Sequence, residues 1–345
     1  MTSHVSSVDD KYKLITKDLE EVIQEENGIV NILQHRDLRI HWGISITGKP
    51  HVGYLVPLAK IVNCLRAGCE VHIVLADLHG YIDGKSVEWG CLKNRTGYYG
   101  IAIGAMLEST GVSLENLQFS IGSDWQHEEQ YWKDVLSVAN VTSINRATKA
   151  TSSSVRDATK DGTSSVGSLM YPCLQATDEV HLGTDAQLGG TDQRKLFVLA
   201  REKLPKVGLH GCSVHLMNPI LPGLRNEHRA KMSSSGDEQC KINLCDEPDV
   251  VSKKVHKTYC ERGEVKDNWV LSAAKLIIFP LLEHGHSITV QRDGNDLPHV
   301  HGYEELERMF LNNEIEPREL KALVANELNR ILDPIRNELK DLTWV

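Results

Sequence analysis

The chain has 345 residues, 41% of them hydrophobic and 25% charged, the composition of one or two globular domains with apolar material for a core. A formal net charge of −9 gives no basic field for nucleic acid, so any RNA contact must come from local patches. No apolar run approaches the ~18 residues of a membrane span, and the polar N-terminus carries no signal-peptide core.

The eight cysteines are scattered with no C-x-x-C pair, which argues against a disulfide framework and against a structural zinc. A cytoplasmic protein without a metal centre is expected.

In chain order, Leu14, Ile15, Leu19, Val22 and Ile23 carry a helical spacing that predicts a helix over Asp9 to Gln24. A short strand at Leu38 to Ile40 runs into a stretch bearing glycine and proline, from Gly43 to Gly53. The stripe Leu55, Leu58, Ile61, Val62 and Leu65 predicts the next helix, which Gly68 ends. Val71 to Ala76 reads as a buried parallel strand. A helix over Leu92 to Thr110, a strand at Leu117 to Ile121 and a helix around Tyr131 to Ala139 follow. This alternation predicts a doubly wound α/β sheet.

Residues 147–168, rich in Ser, Thr, Gly, Lys and Asp, interrupt the pattern and read as a surface loop. Arg146, Lys149, Arg156 and Lys160 give it a possible nucleic-acid contact. Beyond Cys245 the pattern turns helical, with a strong amphipathic helix through Leu320, Leu323, Val324, Leu328, Ile331 and Leu332. A strand at Ile288 to Gln291 and a turn-rich stretch from Asp293 to Pro298 lie between. The expected division is an N-terminal helical segment (1–36), a catalytic α/β domain (37–240, with a flexible insertion at 147–168) and a helical C-terminal domain (241–345).

Two elements carry chemistry. Thr47 to Tyr54 lies in the first strand-to-helix turn of the sheet, where glycines let backbone approach a ligand and a helix N-terminus favours anionic phosphate. His51 sits in that turn. Lys231, Met232, Ser233, Ser234 and Ser235 form the second, a lysine beside three hydroxyls that can neutralise developing pyrophosphate. Tyr171, Gln175 and Asp178, spaced i, i+4 and i+7, share one face of a helix.

Taken together, the His51–Gly53 element and the Lys231–Ser235 loop resemble the paired motifs of the class I aminoacyl-tRNA synthetases. Ala76 to Gly80, Tyr171 to Asp178 and Gly189 to Lys195 are similar to blocks of the archaeal and eukaryotic tyrosyl-tRNA synthetases, a likeness extending from about residue 10 to about 340. It implies a Rossmann-like catalytic domain before a helical anticodon-binding domain, activation of L-tyrosine by ATP with Mg2+, transfer to tRNA(Tyr), and a homodimer. By that resemblance, His51, Lys231, Ser233, Ser234 and Ser235 are catalytic. Gly48, Gly53, Gly190, Asp192 and Met232 bind ATP. His41, Gly43, His79, Tyr171, Gln175, Asp178 and Gln193 bind tyrosine, with Asp178 accepting the phenol hydroxyl. Arg146, Lys149, Arg194 and Glu319 contact tRNA, with Lys195 a further candidate.

The chain departs from the family pattern in three places. His41 stands where a tyrosine is usual, and a histidine is shorter and can titrate near neutrality. Glu319 replaces the aspartate that reads the first anticodon base. No Trp or Phe lies between Gln291 and Gly302, which leaves His299 and His301 to stack on it. A non-catalytic RNA-binding or signalling paralogue and a synthetase of shifted amino-acid specificity are the alternative readings. The segment Asp124–Gln126 also resembles part of the family's pocket wall.

Overall fold

The structure, a computed structural model, describes residues 7–83, 88–151, 164–224, 232, 237–282, 287–292 and 295–344. Six strands, β1 (Glu21–Ile23), β2 (Arg39–Ser45), β3 (Glu70–Ala76), β4 (Leu117–Ile121), β5 (Ala186–Gly190) and β6 (Val214–Asn218), form one sheet in the order β1-β6-β5-β2-β3-β4. All neighbouring pairs are parallel except β1 with β6. The strand order reverses between β2 and β5, and such a switch point opens a crevice at the carboxyl ends of the strands. β2 is longer than the predicted Leu38 to Ile40 because Trp42 and Ile44 continue its buried apolar face.

The alternation of β2 decides which side chains meet the ligand face. Ile40, Trp42 and Ile44 point one way, and the Trp42 ring lies 6.3 Å from Tyr54 at the start of the Leu55–Arg66 helix. His41 and Gly43 point the other way, and His41 is in register with His72 on β3 and Gln187 on β5. On that second side the helices Glu129–Asn140, Val166–Leu182 and Arg194–Lys203 close over a small core of Tyr131, Val135, Leu174 and Leu199.

A larger core begins at Ile15, crosses the sheet and reaches Leu339, so the C-terminal helices share it with the α/β half. The Pro317–Leu339 helix lies along both Leu92–Ser109 and Pro248–Lys257. Gly68 ends the Leu55–Arg66 helix at φ +84°, as its position predicts. Among the described residues no helix is long and apolar enough to cross a membrane.

Three sequence expectations change. The predicted helix over Asp9 to Gln24 stops at Thr16, because Asp18 adopts φ +58° and the chain then pairs as β1 on the free edge of β6. The segment 1–36 is therefore partly strand. The surface loop narrows: Ile144–Ala150 is helical, Val166 opens a helix capped by Ser165, and 152–163 lie outside the described residues. Arg156 and Lys160 fall in that gap.

The turn-rich stretch after Gln291 contains a strand. β7 (Ile288–Arg292) and β8 (Asn295–Val300) pair antiparallel with Arg292 opposite Asn295, and 293 and 294 lie outside the described residues. Pro298 lies within β8, and a proline lacks the ladder donor, so the sequence alone favours a turn there.

Candidate active site

The site is assembled at the switch point, from the ends of β2 and β5 and the helices beyond them. His51 caps the 3-10 turn Val52–Tyr54: its Nδ1 accepts from the Gly53 amide at 3.1 Å, which makes Nε2 the proton-bearing nitrogen of the neutral ring. A Cβ on Gly53 would lie 2.8 Å from His51 Cε1, so a glycine is required there for the histidine to cap. The Gly48 carbonyl accepts from the Tyr99 hydroxyl at 2.6 Å.

Met232 is buried, donates its amide to the Leu221 carbonyl at 3.3 Å, and places its Cβ 4.0 Å from where a Cβ on Gly53 would stand. The two predicted motif regions thus meet at that residue. Lys231, Ser233, Ser234 and Ser235 lie outside the described residues. Ile242 and Leu244, just past them, bond through backbone to Val52 and Pro50, and Asn243 bridges to His51. The division placed at 240 and 241 therefore falls where backbone pairing crosses it.

On the opposite wall, Asp178 is buried in the Val166–Leu182 helix. Its Oδ1 accepts from Gln126 Nε2 and from the Tyr131 hydroxyl, each at 2.8 Å. Oδ2 faces His79 Nε2 at 3.3 Å, yet neither ring nitrogen of His79 makes a hydrogen bond. Burial pushes the Asp178 carboxyl up from its ordinary value, against His79, Tyr131 and Gln126, which pull it down. The Tyr131 phenol is pushed up in turn, by burial and by that carboxylate.

Gln126 Oε1 is also buried without a partner. Asp178 Oδ2, an acceptor beside a His79 ring whose nitrogens make no hydrogen bond, matches a hydroxyl that both donates and accepts. Tyr171 packs edge-on to His79 with ring centroids 4.9 Å apart. Gln175 Nε2 donates to Gln193 Oε1 at 3.1 Å, so the two predicted ammonium-binding amides lie together.

The glycines of β2 and β5 act differently. A Cβ on Gly43 would meet nothing within 4 Å, which leaves space above the strand. On Gly190 it would lie 2.6 Å from Asp192 Oδ1. Asp192 is exposed on the turn Thr191–Gln193 at the end of β5.

His41 is buried on the same sheet face, but its Nδ1 is 2.6 Å from Thr184 Oγ1 and 3.9 Å from Cys212 Sγ, while Nε2 has no partner. Burial lowers its pKa to about 3, with His72 and His215 adding to the effect. A ring enclosed this fully is held toward its neutral form. Below it, Glu179 holds His215 at 2.9 Å and the Cys212 amide at 2.9 Å. Thr184 and Tyr131 carry no motif signal; both are found only by what they touch across the fold.

The predicted tRNA contacts are scattered. Arg146 pairs with Glu202 at 2.9 Å, and Arg194 binds Glu21 of β1 at 2.8 Å. Lys149 and Lys195 are exposed. Glu319 is buried and its Oε2 accepts from the Glu316 amide at 2.8 Å, closing the capping box of its own helix. His299 is bonded to Thr289 at 3.0 Å. Among the described residues no group of three or more His, Cys, Asp or Glu is placed to hold a metal ion.

A family model described as tRNA synthetases class I (W and Y) matches residues 33–333. The cytoplasmic tyrosine–tRNA ligase of Danio rerio is 45% identical over 346 residues, a match covering 98% of this chain and 63% of that protein. The chain therefore spans less than two thirds of the length of that relative. The probable cytoplasmic tyrosine–tRNA ligase of Encephalitozoon cuniculi is 40% identical, with 98% of each chain covered. The crystal structure of a tyrosyl-tRNA synthetase from Archaeoglobus fulgidus, complexed with L-tyrosine, superposes with a TM-score of 0.83 at 33% identity, over 96% of this chain and 100% of that one. With the sheet order, these matches show that the chain belongs to the class I tRNA synthetases of the tryptophan and tyrosine group, and within it to the tyrosine–tRNA ligase family.

Proposed function

We propose that the chain is a tyrosine–tRNA ligase, which joins L-tyrosine to ATP as tyrosyl-adenylate with release of pyrophosphate and passes the tyrosyl group to tRNA(Tyr). The observation that carries the reading is the buried Asp178 carboxylate, one oxygen saturated by Tyr131 and Gln126 and the other facing an unbonded His79. A phenol hydroxyl completes that arrangement by donating to Asp178 and accepting from His79. Gln175 and Gln193 lie together where the substrate ammonium would be held.

In this reading one oxygen of the tyrosine carboxylate attacks the α-phosphorus of ATP in line, and the bond to the β-phosphate oxygen breaks. A terminal ribose hydroxyl of tRNA then attacks the tyrosyl carbonyl, and AMP leaves. No side-chain nucleophile is needed, so catalysis rests on position and on charge stabilisation. His51 presents Nε2–H toward the phosphates, and Lys231 with Ser233, Ser234 and Ser235 would meet the departing pyrophosphate. ATP arrives with Mg2+ as the substrate complex.

The protein works in the cytoplasm and as a homodimer. The relatives named as cytoplasmic support the first. Exposed Leu136, Ile144 and Val166 on three neighbouring helices support the second, since such side chains favour a covered face.

The test is ATP–pyrophosphate exchange with each of the twenty amino acids, without tRNA. Exchange with tyrosine alone is expected. Exchange with another amino acid would transfer the assignment to a synthetase of shifted specificity, and none at all would leave an RNA-binding paralogue.

A further inference from the structure

The last described residue packs on the helix that anchors the loop assigned to ATP. Trp344 lies edge-on to Tyr98, ring centroids 5.3 Å apart at 81°, and 6.1 Å from Tyr99, with the Arg95 guanidinium 5.1 Å from its ring centre. Arg95, Tyr98 and Tyr99, at i, i+3 and i+4, form one face of the Leu92–Ser109 helix. Trp344 covers that face.

Two of those three residues also hold the loop. Arg95 donates to the Thr47 carbonyl at 2.9 Å, and the buried Tyr99 hydroxyl donates to the Gly48 carbonyl at 2.6 Å. In a trans peptide the carbonyl and the next amide point in opposite directions. With both carbonyls drawn toward the helix, the amides of Gly48 and Lys49 are turned away from it. Tyr99 also lies 3.4 Å from the Tyr54 hydroxyl, and the Tyr54 ring is 4.9 Å from His51. One contact chain therefore runs from the C-terminal segment to the histidine that caps the turn.

We propose that Trp344 is a positioning residue for this loop: by fixing Arg95 and Tyr99 it aims the Gly48 and Lys49 amides at the phosphates of ATP. The C-terminal segment thereby becomes part of the nucleotide site. The proposal rests on the reading that residues 47–53 bind ATP. Arg95 is the more sensitive partner, because a guanidinium held against an aromatic face keeps a single orientation for its hydrogen bond.

The experiment compares the full chain with Trp344→Ala and Trp344→Phe. Pyrophosphate exchange is measured at varied ATP and varied tyrosine, and amide hydrogen exchange over residues 46–54 is followed without ligand. Trp344→Ala is expected to raise the KM for ATP about three- to tenfold. The KM for tyrosine should stay within about twofold. The amides of 46–54 should exchange faster, and Trp344→Phe should recover most of both effects.

An unchanged KM for ATP beside a lowered Tm would overturn the proposal, as would an equal rise in both KM values or unaltered protection of the loop. Should Trp344→Ala fail to fold, Trp344→Phe and Arg95→Gln carry the same comparison. Absence of exchange in the wild type would count against the assigned reaction alone, because the hydrogen-exchange comparison needs no activity.

Discussion

At the scale of residues, the chemistry centres on Asp178 and what surrounds it. Tyr131 supplies a hydrogen bond that lowers the carboxyl pKa, so Tyr131→Phe removes that support and lets burial raise it further. In the proposed reading, tyrosine binding needs the carboxylate form of Asp178. The acid limb of its pH dependence should therefore move to higher pH in Tyr131→Phe, measured as KM for tyrosine against pH. Asp178→Asn should lower the preference for tyrosine over phenylalanine roughly ten- to a hundredfold in pyrophosphate exchange. An unaltered preference would place the phenol elsewhere.

His41 makes a separate prediction about stability. Its folded pKa of about 3 lies below the ordinary 6.5, so between those values the unfolded chain takes up a proton that the folded chain refuses. Its contribution is complete above about pH 6.5 and is lost as pH falls toward 3, by at most about 1.4 kcal/mol per pH unit. Denaturant titrations of His41→Tyr should show a shallower loss of stability across that window. Asp178, Gln175 and their shared helix face were legible in the sequence because helical spacing is local. Tyr131 was not, since its 47-residue separation from Asp178 is closed only by the packing of two helices.

At the scale of elements, the sequence specifies structure directly wherever burial repeats with a regular period. β4 matches its expected span at Leu117–Ile121, and the helix expected over Leu92 to Thr110 is Leu92–Ser109. Errors fell where a partner strand decides the conformation. β1 carries a helix-compatible apolar spacing, and the open edge of β6 makes it a strand. At a helix end, Glu319 has a capping role that local sequence also supports. Its carboxylate closes a capping box, so Glu319→Ala should cost about 1 kcal/mol in a denaturant titration. Glu319→Gln, which can make the same bonds, should retain most of that stability. A loss of tRNA charging in Glu319→Gln without a loss of stability would instead return the residue to the anticodon.

For the whole molecule, one apolar core joins the α/β half to the C-terminal helices, and the backbone pairing of Pro50 and Val52 with Ile242 and Leu244 crosses between them. The two halves are expected to unfold together rather than in separate steps. Among the exposed apolar side chains, Leu136 at 60%, Ile144 at 72% and Val166 at 76% exposed sit on the neighbouring helices Glu129–Asn140, Ile144–Ala150 and Val166–Leu182. If these helices form the dimer face, Leu136→Asp combined with Ile144→Asp should convert a dimer to a monomer in sedimentation velocity while leaving the circular dichroism spectrum unchanged. A wild type that sediments as a monomer would remove the homodimer from the proposed function.

By itself the sequence determined the fold class, the strand-to-helix turn with His51 and Gly53, and the helix face bearing Tyr171, Gln175 and Asp178. Each of these rests on a short-range pattern: a period of 3.6 or 2, a glycine in a turn, a spacing of four. Only the tertiary structure decided that Tyr131 and Gln126 hold Asp178, that Thr184 holds His41, and that Trp344 reaches the helix anchoring the Thr47–Gly48 loop. Those contacts join residues 47 or more positions apart. Hydrogen-bond partners at such separations are set by which faces the sheet and its helices bury, and no local period carries that information.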